Sequence, residues 1–359
     1  MHDVLASTHD VTKEWLTEML KINGGLKSEV ASVELITIGE GVGLMGELGR
    51  LTLTYTGQED LPATMVIKCA AQNENINVAR VLDFYNREVN FYNRVGTNSG
   101  LRIPGSYYGA VDQATYNCTI LMQDLGDVSP NDQIVGATEA EAFAAIEKIS
   151  VLHGRYWGQV RNPENEWMYD VMGEESSATL RDLVYMPAVE SCIENFDSFF
   201  DDEARELVRA VGKNFPDYWR NKVSPAETFI HGDYRQDNFL YVDGDPNAVV
   251  MDWQISGSGR GIFDFTYFVC QSLTSERRLQ IEKALLKTYV GGLKAAGVED
   301  YDFETALLDY RTMILGCLVY PITVGGSLDL SNDRGKALAE CMLSRNLAAI
   351  KELNCAELL

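Results

Sequence analysis

Two short apolar segments, each followed by polar residues, constrain this chain more than any other feature. The first, at 229–240, carries a carboxylate and a carboxamide on one loop, at Asp233 and Asn238. The second, at 249–253, is strand-like and ends in Asp252 and a tryptophan. Phosphoryl transfer needs such a set, because one carboxylate accepts the proton of the attacking hydroxyl. An Asn oxygen and a second carboxylate then hold the magnesium ions that bridge the nucleotide phosphates.

A plain hairpin is the alternative interpretation of the first segment. Asp, Asn and Gly are common in turns for purely conformational reasons. Both motifs occur in order, however, and each has an apolar strand-like run beside it. This combination favours the catalytic interpretation.

The same two segments resemble the catalytic centre of the aminoglycoside phosphotransferase and choline kinase superfamily, small-molecule relatives of protein kinases. The run 231–233, His-Gly-Asp, stands where protein kinases carry His-Arg-Asp. The resemblance implies that Asp233 is the catalytic base and that Asn238 and Asp252 bind Mg²⁺. The sequence around these residues is similar to that of the ecdysteroid-kinase-like and acyl-CoA-linked phosphotransferase branches.

Two neighbours of the base receive roles from the same resemblance. Arg235 sits where protein kinases often place a lysine, and a cation there would neutralise charge on the transferred phosphoryl group. His231 is expected to be structural and to fix the loop by hydrogen bonds.

A glycine-rich segment lies between two predicted strands, at 33–38 and 50–55. It matches G-x-G-x-x-G, with Gly41 and Gly43 as its first two glycines. A dinucleotide-binding fold would need a helix after this motif, whereas a β-rich segment follows. A hairpin loop draped over nucleotide phosphates fits better, and a flexible hairpin without a ligand remains the alternative.

Lys68 interrupts an otherwise apolar run that predicts a third strand. A lone lysine on a buried strand is costly unless it is paired. In the kinase pattern this lysine contacts nucleotide phosphates and pairs with a glutamate of the next helix. That helix is predicted over about 78–95, and Glu88 is the candidate partner, with Arg87 or Glu47 as the alternative relevant charge.

An apolar run ending in a polar turn provides the best domain break, near residue 124. In the superfamily such a segment joins two lobes, and its backbone hydrogen-bonds adenine. We therefore expect a nucleotide-binding lobe at 1–123 and a catalytic and substrate-binding lobe at 124–359. The hinge residues implied by the resemblance are Met122, Gln123, Asp124 and Leu125.

The remainder of the chain is predicted to be mainly helical, beginning with a long helix at 138–158. Within it, His153 is more consistent with a satisfied core histidine than with a catalyst. Asp264 occupies a good N-terminal cap position for a later helix, and in relatives an aspartate here braces the catalytic loop. The predicted fold class is α+β: a bilobal protein-kinase-like fold with a small β-rich N-lobe and a larger, mainly helical C-lobe.

The amino-acid composition limits the binding partners and the cellular compartment that we expect. The chain has 53 acidic against 30 basic residues and a net charge of -23, which disfavours nucleic acid as a ligand. The seven cysteines include no Cys-x-x-Cys pair and resemble small buried hydrophobes in a reducing compartment. No signal peptide is visible, and the apolar run 313–324 is too short to span a membrane. We therefore expect a cytoplasmic protein, with no membrane partner and an oligomeric state that stays open.

The predicted function is an ATP- and Mg²⁺-dependent transfer of the γ-phosphoryl group to a hydroxyl of a small molecule. No Ala-Pro-Glu motif or evident activation loop occurs, which disfavours a peptide acceptor. A catalytically silent nucleotide-binding pseudokinase is the alternative, although the base, both metal ligands and the strand lysine are all present. An oxidoreductase built on the glycine motif is disfavoured by the strand that follows it. The acceptor pocket is expected between the catalytic loop and helices near 170–200 and 310–325.

Overall fold

The computed structural model describes residues 4–38, 46–73, 75–128, 131–242, 244–327 and 332–359. The chain forms two compact units. The first comprises Met1–Val128 together with Met251–Ile255, and the second comprises Ser129–Val250 and Ser256–Leu359. The division into lobes at residue 123/124 stays a prediction.

An antiparallel five-stranded sheet, in the order β1-β2-β3-β5-β4, forms the centre of the first unit. Its side chains alternate between core and solvent along β2, where Leu51 and Leu53 are buried and Thr52 and Thr54 are exposed. The buried face packs against apolar residues of the first helix, Trp15 among them. The strands are β1 Val30–Ile38, β2 Gly46–Tyr55, β3 Thr64–Ala70, β4 Ser106–Val111 and β5 Cys118–Gln123.

Three helices complete the first unit: α1 Lys13–Met19, α2 Asn75–Val81 and α3 Phe84–Asn90, which continues as a π-helical turn, Phe91–Val95. The single helix predicted over 78–95 is wrong. Asp83 adopts a left-handed conformation with φ of 57° and separates α2 from α3, a backbone state that Asp tolerates better than most residues.

The segment Met251–Ile255 belongs to the first unit, although Ser129–Val250 of the second unit lie before it in the sequence. Trp253 is fully buried, and its ring stacks on Phe91 with centroids 3.5 Å apart and planes 5° apart. Ile255 packs on a cluster that includes Tyr85. Aromatic stacking and apolar burial therefore hold this short return segment.

The second unit is mainly helical. Its long helices α4 and α9 pack together, as do α6 and α11. Four short strands make two antiparallel pairs, β6 with β9 and β7 with β8. The helices are α4 Glu139–Tyr156, α5 Glu174–Leu180, α6 Met186–Asn195, α7 Asp202–Lys213, α8 Ile262–Gln271, α9 Ser275–Ala295, α10 Phe303–Gly316, α11 Val319–Ser327 and α12 Asp333–Glu352; the strands are β6 Thr228–Ile230, β7 Phe239–Leu240, β8 Val249–Val250 and β9 Gly257–Gly259. A β-rich first part followed by a larger helical part confirms the predicted α+β class.

One helical run within the described residues, Phe303–Ser327, is long and apolar enough to cross a membrane by length and composition, but 67% of its apolar window is buried inside the protein. Burial on this scale is the pattern of a core helix. All seven cysteines are free thiols, and all except the half-buried Cys341 are buried, as expected of small hydrophobic residues.

Candidate active site

The loop between β6 and β7 brings together two of the residues singled out from the sequence. The Asn238 side-chain amide donates hydrogen bonds to the backbone oxygen and to Oδ2 of Asp233, both at 2.8 Å. These bonds use the nitrogen of the Asn238 amide, so Oδ1 is the atom suited to a metal ion. Asn238 closes a single 3₁₀ turn, Gln236–Asn238, which places it back over Asp233.

Arg235 holds the other side of the Asp233 carboxylate. Its Nε donates to Asp233 Oδ1 at 3.0 Å, and its Nη1 donates to Asp237 Oδ2 at 2.9 Å. Burial would raise the pKa of Asp233, but the charge of Arg235 and the hydrogen bonds of Asn238 and Arg235 outweigh it and hold that pKa below its ordinary value. Asp233 is therefore a carboxylate at neutral pH, with both oxygens oriented by hydrogen bonds.

A buried carboxylate fixes the loop from behind. Asp264 accepts hydrogen bonds from the backbone N–H of His231 at 2.6 Å and of Gly232 at 2.9 Å. Gly232 has a φ of 85°, a left-handed conformation that suits glycine. The prediction that Asp264 caps a helix is wrong, because Gly261 is the N-cap of α8. The bracing role is confirmed.

Two histidines are structural in the second unit, as predicted. His231 Nδ1 faces the backbone N–H of Asp233 at 3.1 Å and accepts its hydrogen bond. His153 is fully buried between the hydroxyl of Tyr289, at 2.8 Å from Nδ1, and Asp264, at 3.2 Å from Nε2. His231 therefore stabilises the conformation of its own loop, and His153 supports Asp264, which braces that loop.

The first unit contains the predicted ion pair. Lys68 Nζ lies 2.6 Å from Glu88 Oε2, and these side chains are only 13% and 2% exposed. Burial would lower the pKa of Lys68, but the carboxylates of Glu88 and Asp252 outweigh it and raise that pKa above its ordinary value. Glu88 is thus the partner of Lys68.

Asp252 has two features that suit a metal ligand. Its φ of 61° is a left-handed conformation that a non-glycine residue adopts rarely, and such strain clusters at functional sites. Its Oδ1 is buried and has no hydrogen-bond partner among the described residues, whereas Oδ2 accepts from the Gln254 amide at 3.3 Å. A buried, unpaired carboxylate oxygen is costly, and a divalent cation would satisfy it. The residues present therefore fit Mg²⁺.

No group of three or more His, Cys, Asp or Glu side chains that could hold a metal occurs in the part of the chain that the structure describes. The assignment of Asn238 and Asp252 as magnesium ligands stays a prediction.

The predicted hinge begins on a strand. Met122 and Gln123 are the last residues of β5, and the Gln123 N–H donates to the Gly105 oxygen at 2.7 Å. The Asp124 carboxylate lies 3.0 Å from Nε of Arg50, which also binds Asp127. The adenine-binding role of residues 122–125 stays a prediction.

The two predicted glycine contacts, Gly41 and Gly43, lie outside the described residues. The structure also shows contacts of three side chains that the sequence analysis did not single out: Arg50, Gln133 and Asp237. Their partners lie far away in the sequence, or the side chains themselves belong to no distinctive local pattern.

A model of the ecdysteroid kinase-like family matches residues 108–298, more than half of the chain. The chain belongs to the ecdysteroid kinase-like family. A search of curated proteins found no match.

Solved structures of kinases share the fold of this ecdysteroid kinase-like protein. The GDP and kanamycin complex of an aminoglycoside 2''-phosphotransferase matches with a TM-score of 0.51 at 12% identity, covering 93% of this chain and 98% of that chain. Ethanolamine kinase from Plasmodium vivax matches with a TM-score of 0.50 at 11% identity, covering 95% and 90%. Likeness at such low identity establishes the fold, which is the predicted protein-kinase-like one.

In this ecdysteroid kinase-like protein, α11 reaches the catalytic loop from the region predicted to bind the acceptor. The hydroxyl of Tyr320 donates to the backbone oxygen of Gly232. Its ring stacks on Tyr267, with centroids 4.1 Å apart. Two acidic residues of the predicted acceptor region, 170–200, are engaged in ion pairs, Glu190 with Arg209 and Asp197 with Arg205.

Proposed function

We propose that this chain is an ATP- and Mg²⁺-dependent phosphotransferase that moves the γ-phosphoryl group to a hydroxyl of a small, nonpeptidic molecule. The observation that carries this proposal is the Asp233 carboxylate, which is ionised and held from two sides by Arg235 and Asn238. Its loop is anchored by the buried Asp264. A carboxylate fixed in this way suits general-base catalysis, and membership of a kinase-like family supports the class of reaction.

In the proposed step, the hydroxyl oxygen of the acceptor forms a bond to the γ-phosphorus while the bond from that phosphorus to the β–γ bridging oxygen breaks. The proton of the hydroxyl passes to the Asp233 carboxylate, and ADP leaves with the bond's electron pair. The low pKa of Asp233 makes it a weak base. Proton transfer therefore occurs late, when the forming P–O bond has made the hydroxyl acidic, as in a loose transition state.

The first unit would supply the nucleotide contacts. Lys68 binds the phosphates, and Glu88 holds the ammonium in place. Asn238 and Asp252 are the residues that would hold Mg²⁺, which when bound neutralises charge on the phosphate groups. The hinge backbone at 122–125 would hydrogen-bond adenine.

Arg235 has one nitrogen that fits the predicted contact with the transferred phosphoryl group. Its Nε and Nη1 are used by Asp233 and Asp237, which leaves Nη2 to donate to a phosphoryl oxygen. The same guanidinium would thus orient the base and neutralise developing negative charge.

The acceptor would be a small alcohol, bound on the side of the catalytic loop that Tyr320 contacts. We expect the protein to act in the cytoplasm, in line with its free thiols, and to bind neither nucleic acid nor membranes. Transfer in a single in-line step predicts inversion of configuration at phosphorus, which a chiral-phosphate experiment measures; retention would indicate a phosphorylated enzyme intermediate.

The decisive experiment measures ADP release from MgATP with a panel of hydroxylated metabolites, for the wild type and for Asp233→Asn. We expect turnover with at least one acceptor, and a loss of about 10²–10⁴ in kcat for the variant with nucleotide binding retained. Nucleotide binding without turnover on any acceptor would instead favour the pseudokinase. Wild-type turnover in Asp233→Asn would exclude Asp233 as the base.

A further inference from the structure

Gln133 contacts the catalytic loop from a distant part of the chain. It lies before α4 and is fully buried. Its Oε1 accepts a hydrogen bond from Arg235 Nη1 at 2.8 Å, across 102 positions of sequence. Its backbone N–H donates to Asp237 Oδ1 at 2.8 Å, and its backbone oxygen accepts from Arg345 Nη1 at 2.7 Å. Main chain and side chain of Gln133 are therefore both fixed against the loop.

The orientation of the Gln133 amide follows from its partner. A guanidinium can only donate hydrogen bonds, so the atom that faces Arg235 must be the oxygen. The amide nitrogen is then directed elsewhere, and it is buried without a hydrogen-bond partner among the described residues. A buried, unpaired amide is destabilising, and an apolar side chain of the same size would avoid that cost. Compared with such an apolar side chain, Gln133 adds one side-chain interaction, its hydrogen bond with Arg235.

Gln133 completes the set of acceptors that fixes the Arg235 guanidinium. Nη1 carries two hydrogens, and its two acceptors are Gln133 Oε1 and Asp237 Oδ2. With both hydrogens of Nη1 directed in this way, the plane of the guanidinium is set. Nε then points at Asp233 Oδ1, at 3.0 Å. Without Gln133, Nη1 would keep only one of its two acceptors, and the guanidinium would be held by Asp237 and Asp233 alone.

We propose that Gln133 is a positioning residue for phosphoryl transfer: it holds Arg235 so that the Asp233 carboxylate keeps its orientation toward the acceptor hydroxyl. This inference rests on the proposed function. It predicts an effect on the chemical step, because misplacing a catalytic group by about 1 Å costs up to about a hundredfold in rate. Gln133 makes no contact that would bind nucleotide, so the KM for MgATP should stay unchanged.

The test compares two substitutions at this position. Gln133→Met keeps the length of the side chain and removes the acceptor. Gln133→Glu keeps an acceptor for Arg235 and replaces the amide nitrogen, which has no hydrogen-bond partner among the described residues, by a carboxylate oxygen. We expect kcat to fall about ten- to hundredfold in Gln133→Met, with the KM for MgATP unchanged, and most of the wild-type kcat to be retained in Gln133→Glu. Turnover is measured as ADP release from MgATP, with water and with the panel of alcohols as acceptors.

Gln271 offers a matched control. It is fully buried in the same unit, and its amide oxygen has no hydrogen-bond partner among the described residues. Its side chain contacts Met342 and Asn346 rather than the loop, and its backbone oxygen accepts from Arg345 Nη1. Gln271→Met should lower the melting temperature without lowering kcat. If Gln271→Met lost as much kcat as Gln133→Met, the effect at Gln133 would be explained by general destabilisation of the protein. That result would overturn the proposal.

A double-mutant cycle shows whether Gln133 acts through Arg235. In an Arg235→Met background, the additional change Gln133→Met should have no further effect on kcat, because the group it positions is gone. Additive losses would overturn the proposal, as would a wild-type kcat in a folded Gln133→Met variant. Absence of ADP release from the wild type with water and with every alcohol tested is a different result, which overturns the proposed function itself.

Discussion

At the scale of single residues, Asp252 combines an unusual backbone with an unsatisfied side chain. Its left-handed φ is tolerated by Asp and Asn better than by other residues except glycine. Its buried Oδ1 has no hydrogen-bond partner among the described residues, while the charge of the carboxylate acts on Lys68. The substitution Asp252→Asn therefore removes the charge and leaves the backbone conformation accessible.

We expect Asp252→Asn to fold normally and to lose magnesium-dependent nucleotide binding. The loss should be at least about tenfold in affinity, since even residues behind metal ligands contribute that much. Asn238→Ala should lose less, because an amide oxygen brings a dipole and not a full charge. Calorimetric titration with ATP, at several magnesium concentrations, measures both. Equal ATP affinity with and without Mg²⁺ in the wild type would contradict the assignment of both ligands.

Lys68 and Glu88 are expected to act together, because both are buried and form an ion pair. Lys68→Ala should raise the KM for ATP and lower kcat, and Glu88→Ala should do so more mildly, since Glu88 only positions the ammonium. The double variant should be less impaired than the sum of the two single effects predicts. Strictly additive free energies would show that the ion pair has no part in nucleotide binding.

At the scale of elements, α8 supports the catalytic loop through one side chain in its first turn. Asp264 accepts from two backbone N–H groups of the loop and lies beside His153, and all of these groups are buried. Hydrogen bonds to a buried carboxylate contribute more than neutral ones. The helix and the loop are therefore expected to lose order together when this carboxylate is removed.

Asp264→Ala should lower the free energy of unfolding by about 3–5 kcal/mol, the range found when one partner of a buried charged contact is removed. Urea denaturation measures this loss. Asp264→Asn, which keeps one acceptor oxygen, should lose less. A change below about 0.5 kcal/mol in the alanine variant, typical of surface substitutions, would show that the brace contributes nothing to the fold.

At the scale of the whole molecule, ligand binding should discriminate between the function classes left open by the sequence. A ligand that binds only the folded chain stabilises it by about 2.7 kcal/mol when its concentration is about a hundred times the Kd. MgATP should thus raise the melting temperature, and ATP with excess EDTA should raise it less. Nicotinamide dinucleotides should cause no shift. A shift with NAD alone would revive the oxidoreductase interpretation.

The sequence predicted those parts of the site that are encoded locally. Asp233 and Asn238 share one loop. A lysine within an apolar strand requires a partner, and the resemblance to the kinase pattern indicated Glu88. Gln133 could not, because a single glutamine in a loop has no pattern and its partner lies far along the chain. The break at Asp83 and the strand β4 were missed since neither has a distinctive periodicity. The bracing role of Asp264 was anticipated, but its position was not, because it lies inside the first turn of α8 and does not cap that helix.

The return of Met251–Ile255 to the first unit has a consequence for the order of events during synthesis. A ribosome makes the five strands of the sheet early, yet the pentapeptide that covers Phe91 emerges only after the catalytic loop has been translated. Until then the chain lacks Trp253, whose ring stacks on Phe91 in the folded protein. The first unit can thus be completed only late in synthesis, and Asp252 can act on the charge of Lys68 only from that stage on.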